Sequence, residues 1–152
     1  MQPSPPSAPA LAEFIARILG TLYDAHLRGD TAAIDELLHR DCSVFDSARP
    51  TLVSGSAQLA ELRRQRGAAT APRFRDVSAT IGELNVRDIA GVVLATYRLT
   101  IGRQTTDGTP VSDEIDRVTA VFAPTHNGLR IIHLHEDVLQ AEPAARPPKG
   151  TP

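Results

Sequence analysis

The chain has 152 residues and a formal net charge of −2, and 41% of its residues are hydrophobic while only 4% are aromatic. These values predict one globular domain and argue against nucleic acid as a partner, because neutralising phosphates requires an excess of basic residues. The longest apolar stretches, such as residues 89–95, are too short to cross a bilayer, and the first residues lack the pattern of a signal peptide, so we expect a cytoplasmic protein without a membrane partner.

Proline marks both ends of the chain. Eight of the twelve prolines lie within residues 1–9 and 141–152. Segments of this composition bury too little apolar surface to fold. We therefore expect two disordered tails and a single domain over residues 10–140. Cys42 is the single cysteine, which excludes an intrachain disulfide.

The first half of the chain is predicted to be mainly helical, because its apolar residues recur with three-and-four spacing. The expected elements are a helix from Leu11 to about Arg28, a second helix capped by Asp30 and ending near His39, a short strand over residues 42–46, and a third helix that begins at residues 54–56 and ends at Gly67.

The second half is predicted to be mainly β-structure. Its β-branched segments are residues 74–87, 91–103, 111–122 and 129–139. Asp107-Gly108 and Asn127-Gly128 are strong hairpin signals between them. Helices followed by antiparallel strands indicate an α+β domain. A curved sheet wrapped over the helices would leave a pocket between the two layers.

Four short motifs and their order along the chain carry a family resemblance. The motifs are Gly29-Asp30 between the first two helices, Phe45-Asp46 at the end of the first strand, Ser54-Gly55 at the start of the third helix, and the closing hairpin from Arg117 to His135. Together they resemble the nuclear transport factor 2-like superfamily, in particular its SnoaL-like branch. The closing hairpin is also similar to the end of the association domain of calcium/calmodulin-dependent kinase II.

This resemblance implies a cone-shaped fold, in which a curved antiparallel sheet wraps over N-terminal helices and encloses a pocket. It also implies a homodimer formed through the outer face of the sheet. Members of the superfamily include ketosteroid isomerases, polyketide cyclases, epoxide hydrolases and dehydratases, and other members only bind ligands or mediate assembly. The fold therefore indicates where a site would lie without fixing its chemistry.

Asp46 and His135 are the predicted catalytic residues. The position of Asp46 resembles that of the general-base aspartate in ketosteroid isomerases, and a carboxylate beside an apolar pocket can take a proton from carbon. The alternative is a strand-end aspartate that accepts hydrogen bonds in the following turn. We expect His135 to line the pocket as a donor or proton shuttle, or to lie at a dimer interface. His133 and His135 alone do not complete a metal site, so no metal or cofactor is expected.

Three further candidates follow from the resemblance to ketosteroid isomerases. The oxyanion tyrosine of those enzymes falls at Leu22, and Tyr23 is one position away, about 100° around the helix. Their acidic oxyanion partner falls at or near Val118. Phe45 directly precedes Asp46. We therefore predict Tyr23, Phe45 and Val118 as ligand-binding residues, while the two missing donors weigh against isomerase chemistry.

Arg98 and Glu136 are also predicted to bind a ligand. Arg98 points away from the apolar face of its strand, and the arginine that it resembles in the kinase association domain lines the pocket, where it would bind a carboxylate. If the apolar face is the core, Arg98 is a surface residue instead, and a period-two pattern leaves both alternatives open. Glu136 lies on the opposite face from His135, so both can face one pocket only if a bulge intervenes.

The sequence supports two hypotheses about function. In the first, the protein is a SnoaL-like domain that binds a small hydrophobic or carboxylate-bearing ligand and acts by acid-base catalysis, as an isomerase, cyclase or dehydratase without a cofactor. In the second, the protein is a non-catalytic homodimeric module for ligand binding or assembly. The lack of an oxyanion tyrosine at residue 22 favours the second hypothesis.

Overall fold

A computed structural model describes residues 7–68 and 73–139 of the chain. Its elements are α1 (Ala8–Arg28), α2 (Thr31–Leu37), β1 (Leu38–Phe45), β2 (Val53–Ser54), α3 (Gly55–Ala68), β3 (Phe74–Ile89), β4 (Val92–Thr105), β5 (Pro110–Thr125) and β6 (Gly128–Val138). The predicted α+β class is confirmed. Apart from residues 7–9, the two predicted tails lie outside the described residues, as do residues 69–72.

Helix α1 begins three residues earlier than its apolar pattern predicts. Pro9 lies in its first turn, where the missing amide donor has no cost. The helix ends at Gly29, whose φ of 68° is left-handed, and the Gly29 amide donates to the carbonyl oxygens of Ala25 and His26.

Among the residues that the structure describes, no helix is long and apolar enough to cross a membrane.

Helix α2 is shorter than predicted because strand pairing takes over its last turn. The Oδ1 atom of Asp30 accepts a hydrogen bond from the Ala33 amide at 3.1 Å, which is the expected N-cap. The chain then becomes extended at Leu38, which pairs with Ile131 of β6. The sequence pattern of residues 38–39 is compatible with a helix, but the neighbouring strand satisfies their backbone groups instead.

The six strands form one curved, open sheet in the order β2-β1-β6-β5-β4-β3. The β1–β6 pair is parallel and the other pairs are antiparallel. The short strand β2 was not predicted. A bulge shifts the register between β5 and β6, because Phe122 pairs with Ile131 whereas Val121 pairs with His133. Strand β6 therefore has one extra residue, Ile132, at this point.

The apolar face of the sheet is the core, which we call the inner face, and α1 covers it. Its buried residues include alternate positions of three strands: Val93, Ala95, Tyr97, Leu99, Val118, Ala120, Phe122, Ile131 and Leu134. They form one cluster with Ile15, Leu19 and Leu22 of α1. The opposite, outer face of the sheet is more polar. This arrangement decides which side chains share a site, because successive residues of a strand face opposite sides.

Candidate functional site

A row of side chains crosses the inner face at one level. Tyr97 pairs with Val118, and Val118 pairs with Glu136. Strand β1 runs parallel to β6 with Phe45 opposite His135, so Asp46 follows beside Glu136. We call Tyr97, Val118, Glu136 and Asp46 the inner row. Strands β4, β5 and β6, with the residue that follows β1, thus bring polar and apolar groups to one place.

Tyr23 of α1 lies over the inner row and joins its polar groups. The Tyr23 hydroxyl is 2.6 Å from the Tyr97 hydroxyl and donates to Glu136 Oε1 at 3.4 Å. The two tyrosine rings meet edge to face, with centroids 6.2 Å apart. Each of the three groups has a hydrogen-bond partner if the Tyr97 hydroxyl donates to Tyr23 and the Tyr23 hydroxyl donates to Glu136. The result is a buried hydrogen-bonded chain that ends on a carboxyl group.

Asp116 lies two residues before Val118 on the same face of β5, opposite Leu99 of β4. It is 1% exposed, and its Oδ1 atom is buried without a hydrogen-bond partner among the described residues. The nearby Arg103 is engaged elsewhere: its Nη1 atom contacts Glu114 at 3.0 Å, and its Nη2 atom donates to the Ser112 carbonyl oxygen. The Nε atom of Arg103 is buried without a partner. Asp116 therefore has an acceptor atom that the described residues leave unused.

Burial changes the acidity of both inner carboxyl groups. It raises the pKa of Glu136 to about 7, and the negative charges of Asp116, Asp46 and Glu114 add to the effect, while the hydrogen bond from Tyr23 opposes it. Burial also raises the pKa of Asp116 to about 6, with a further contribution from Glu114. Glu136 can therefore both release and accept a proton near neutral pH.

Burial likewise raises the pKa of the Tyr23 and Tyr97 hydroxyls above the ordinary value of 10. Both tyrosines consequently keep their protons at neutral pH. They can act as hydrogen-bond donors to an oxygen atom of a ligand, but they do not themselves supply a negative charge.

Asp46 is held by its own turn and by α3. Its Oδ1 atom accepts a hydrogen bond from the Ala48 amide at 2.8 Å, and its Oδ2 atom contacts Arg66 Nη2 at 2.6 Å. The side chain is 19% exposed. These contacts are those of a structural turn aspartate with a charged partner. The catalytic role predicted for Asp46 remains a prediction, and this geometry favours the alternative.

Three other predicted site residues, Arg98, His135 and Phe45, lie on the outer face. Arg98 contacts Glu83 at 3.2 Å, and His135 is exposed. A hollow of about 340 Å³ is lined by both residues together with Thr96 and Arg117. The Phe45 ring lies 5.3 Å from the ring of His135 and 6.3 Å from that of His133.

The family model of the SnoaL-like domain matches residues 15–139. The chain belongs to the SnoaL-like domain family. Comparison with curated proteins gives no match.

Solved structures similar to this SnoaL-like domain include the association domain of CaMKII from C. elegans, which is 19% identical with a TM-score of 0.69 over 86% of this chain and 98% of that one. The CaMKII hub homology domain of Chlamydomonas reinhardtii is 18% identical, with a TM-score of 0.70 over 86% of this chain and 99% of that one. An NTF2-like protein from Cytophaga hutchinsonii is 14% identical, with a TM-score of 0.64 over 84% of this chain and 97% of that one. At these identities the similarity shows the fold alone.

The structure of this SnoaL-like domain divides the predicted site residues into two groups. Tyr23, Val118 and Glu136 meet on the inner face, with Asp46 at the end of the row. Arg98 and His135 cannot join them, because the apolar face of β4 is inside and the β6 bulge directs the histidines outward. Ile131, on the other side of the bulge, faces inward, whereas His133 and His135 face outward. The pocket expected between helices and sheet remains a prediction.

The sequence pattern assigns no site role to Tyr97 or Asp116. Tyr97 belongs to the apolar alternation of its strand, and the sequence does not show that its hydroxyl has a partner on α1. For Asp116 the sequence does contain a signal of an unusual buried charge. Val118, Ala120 and Phe122 alternate on one face of the strand, and Asp116 occupies the next position of that face. Among residues 7–68 and 73–139, no group of three or more His, Cys, Asp or Glu side chains is arranged to hold a metal ion.

Proposed function

We propose that this SnoaL-like domain binds a small hydrophobic molecule at the inner row and transfers a proton to or from it without a cofactor. The observation that carries the proposal is the chain of Tyr97, Tyr23 and Glu136, in which a carboxyl group with a pKa of about 7 ends a path of buried hydroxyls. Perturbed titratable groups of this kind are typical of functional sites.

Glu136 is the proposed acid-base residue in place of Asp46. Its carboxylate would take a proton from a carbon next to a carbonyl group, and the Tyr97 hydroxyl would turn from Tyr23 to donate to the oxygen that becomes negative. Returning that proton to a different carbon gives an isomer, and giving it to a leaving hydroxyl releases water. Asp46, held by Arg66, would contribute negative charge that keeps the pKa of Glu136 high.

A thermal-shift screen tests this proposal. Steroid ketones, aromatic polyketides and terpenes should include a ligand that raises the melting temperature by about 5 °C or more when present at roughly a hundred times its Kd. The substitutions Tyr97→Phe and Glu136→Gln should reduce the shift, because each removes a polar group of the inner row.

Asp137→Asn is the matched control for this screen, since Asp137 follows Glu136 on β6 but pairs with Arg117 on the outer face. A ligand whose shift is lost in Asp137→Asn and kept in both inner variants would place binding on the outer face and contradict the proposal.

A second candidate function is homodimeric assembly through the outer face. The observation that favours it is Phe45, a 38% exposed ring beside His133 and His135. Exposed aromatic residues are enriched in protein interfaces. The solved structures with this fold include proteins described as an association domain and as a hub.

Sedimentation velocity tests the assembly proposal. The wild-type protein should sediment as a dimer, and Phe45→Ser should shift it towards monomer. Phe14→Ser is the control, because Phe14 is similarly exposed, at 41%, but lies on α1. A monomeric wild type, or equal effects of both substitutions, would contradict assembly through this face.

A further inference from the structure

We propose that the ligand of the inner row carries a protonated nitrogen, which binds between the carboxylates of Asp116 and Glu136. The inference rests on the proposed function, since it specifies the class of molecule that the inner row accepts. It differs from the expectation of a carboxylate-bearing ligand.

Within residues 7–68 and 73–139, no cation forms an ion pair with the carboxylates of Asp116 and Glu136. Asp46, which directly follows β1, is paired with Arg66 of α3. On the β4–β5 side, Glu114 is paired with Arg103. Helix α1 contributes the neutral hydroxyl of Tyr23, which is the hydrogen-bond donor to Glu136. Asp116 and Glu136 therefore form an acidic pair when both are ionised, and among the described residues the charge of Arg103 compensates Asp116 without a hydrogen bond to it.

Asp116 supplies a second and independent indication of a ligand. Its side chain is almost completely buried, yet its Oδ1 atom has no donor among the described residues. Buried carboxylate oxygens in proteins are normally hydrogen-bonded. An unused acceptor on the inner face calls for a donor from outside the described chain, and an ammonium group has donors but no acceptors.

The spacing of the two carboxylates suits one nitrogen atom. Asp116 pairs with Val138, and Glu136 lies two residues before Val138 on the same face, so the two are diagonal neighbours with Cβ atoms roughly 7 Å apart. A nitrogen placed between them can donate to both at about 2.8 Å, the length typical of charge-assisted hydrogen bonds. Val118 and Leu99 adjoin the pair and provide apolar contact for the body of the ligand.

A ligand with a carboxylate would be repelled by the same pair. The arginine that was expected to bind it, Arg98, faces outward and contacts Glu83. Burial and mutual repulsion raise the pKa of Glu136, and a bound cation would reverse part of that effect. Affinity for the protonated nitrogen should therefore increase from pH 5 to pH 8, as Asp116 and Glu136 ionise.

A series of three probes of similar shape tests the inference by titration calorimetry at pH 8. Benzylamine is cationic, benzyl alcohol neutral and benzoate anionic. Benzylamine should bind the wild-type protein at least tenfold more tightly than either of the others. Asp116→Asn and Glu136→Gln should each weaken benzylamine binding at least tenfold, and Asp137→Asn should leave it within twofold. Circular dichroism of each variant verifies that it is folded.

Two results would overturn the inference. If benzyl alcohol or benzoate binds as tightly as benzylamine and Glu136→Gln abolishes that binding, the inner row is a site but its preference for a cation is wrong. If benzylamine does not bind, or binds the inner variants and the wild type equally, the inference fails. The thermal-shift screen of neutral hydrophobic ligands then decides separately whether the proposed function also fails.

Discussion

Replacing Glu136 with glutamine should raise the free energy of unfolding at pH 8 by about 2–3 kcal/mol relative to the wild type, and should change it little at pH 4. The pKa of Glu136 rises from an ordinary value of 4.5 to about 7 in the folded protein, mainly because the half-buried carboxyl group is partly removed from water. The folded state thus holds this proton more tightly than the unfolded state. The associated stability is complete below pH 4.5 and is lost as the pH rises through 7, whereas glutamine stays neutral throughout.

Urea denaturation of both proteins at pH 4, 6 and 8 measures this difference directly. Glutamine can still accept the hydrogen bond from Tyr23, so the comparison isolates the charge. Asp137→Asn again serves as the control, because an exposed ion pair such as Asp137 with Arg117 contributes little. If the stability difference between Glu136→Gln and the wild type is the same at all three pH values, Glu136 does not titrate in the way that the inner row requires.

Replacing Phe122 with alanine should lower the free energy of unfolding by about 3–5 kcal/mol. Phe122 is completely buried in the cluster that also contains Ile15 and Leu19 of α1. Its removal would leave a cavity between the helix and the sheet that the surrounding side chains fill only in part.

Val121→Ala is the matched control for this substitution, because Val121 precedes Phe122 and faces the opposite side of β5. It should cost less than about 1 kcal/mol, in line with partly exposed positions. Urea denaturation at one pH measures both variants. A loss for Val121→Ala as large as that for Phe122→Ala would contradict the assignment of the core to the face that carries Phe122.

The elements of the fold were largely predictable because local patterns specify them. The three-and-four spacing of α1, the Asp30 cap and the two glycine turns lie within short stretches of sequence. Where the prediction failed, a distant partner was responsible. Strand β1 starts at Leu38 because β6 pairs with it, and β6 lies more than ninety residues further along the chain.

The candidate site was predictable only in part, for the same reason. Tyr23, Val118 and Glu136 are predicted site residues that also belong to or contact the inner row, but period-two alternation does not say which face of a strand is buried. Tyr23 lies about 100° around the helix from residue 22, where the resemblance places the oxyanion tyrosine. The placement of α1 over the sheet nevertheless brings the Tyr23 hydroxyl to the Tyr97 hydroxyl. The contact that occupies Asp46 comes from Arg66, twenty residues away on another element.

The extra residue in β6 has a consequence for how the interior of this protein can change. Regular alternation from Ile131 would turn His133 and His135 inward and Glu136 outward. The bulge at Ile132 inverts that order, so a carboxyl group and not an imidazole reaches the buried hydroxyls. Closing the bulge with every residue retained would exchange the ionisable group of the interior without altering any side chain. The chemistry inside this sheet is thus determined by the register of one strand as much as by side-chain identity.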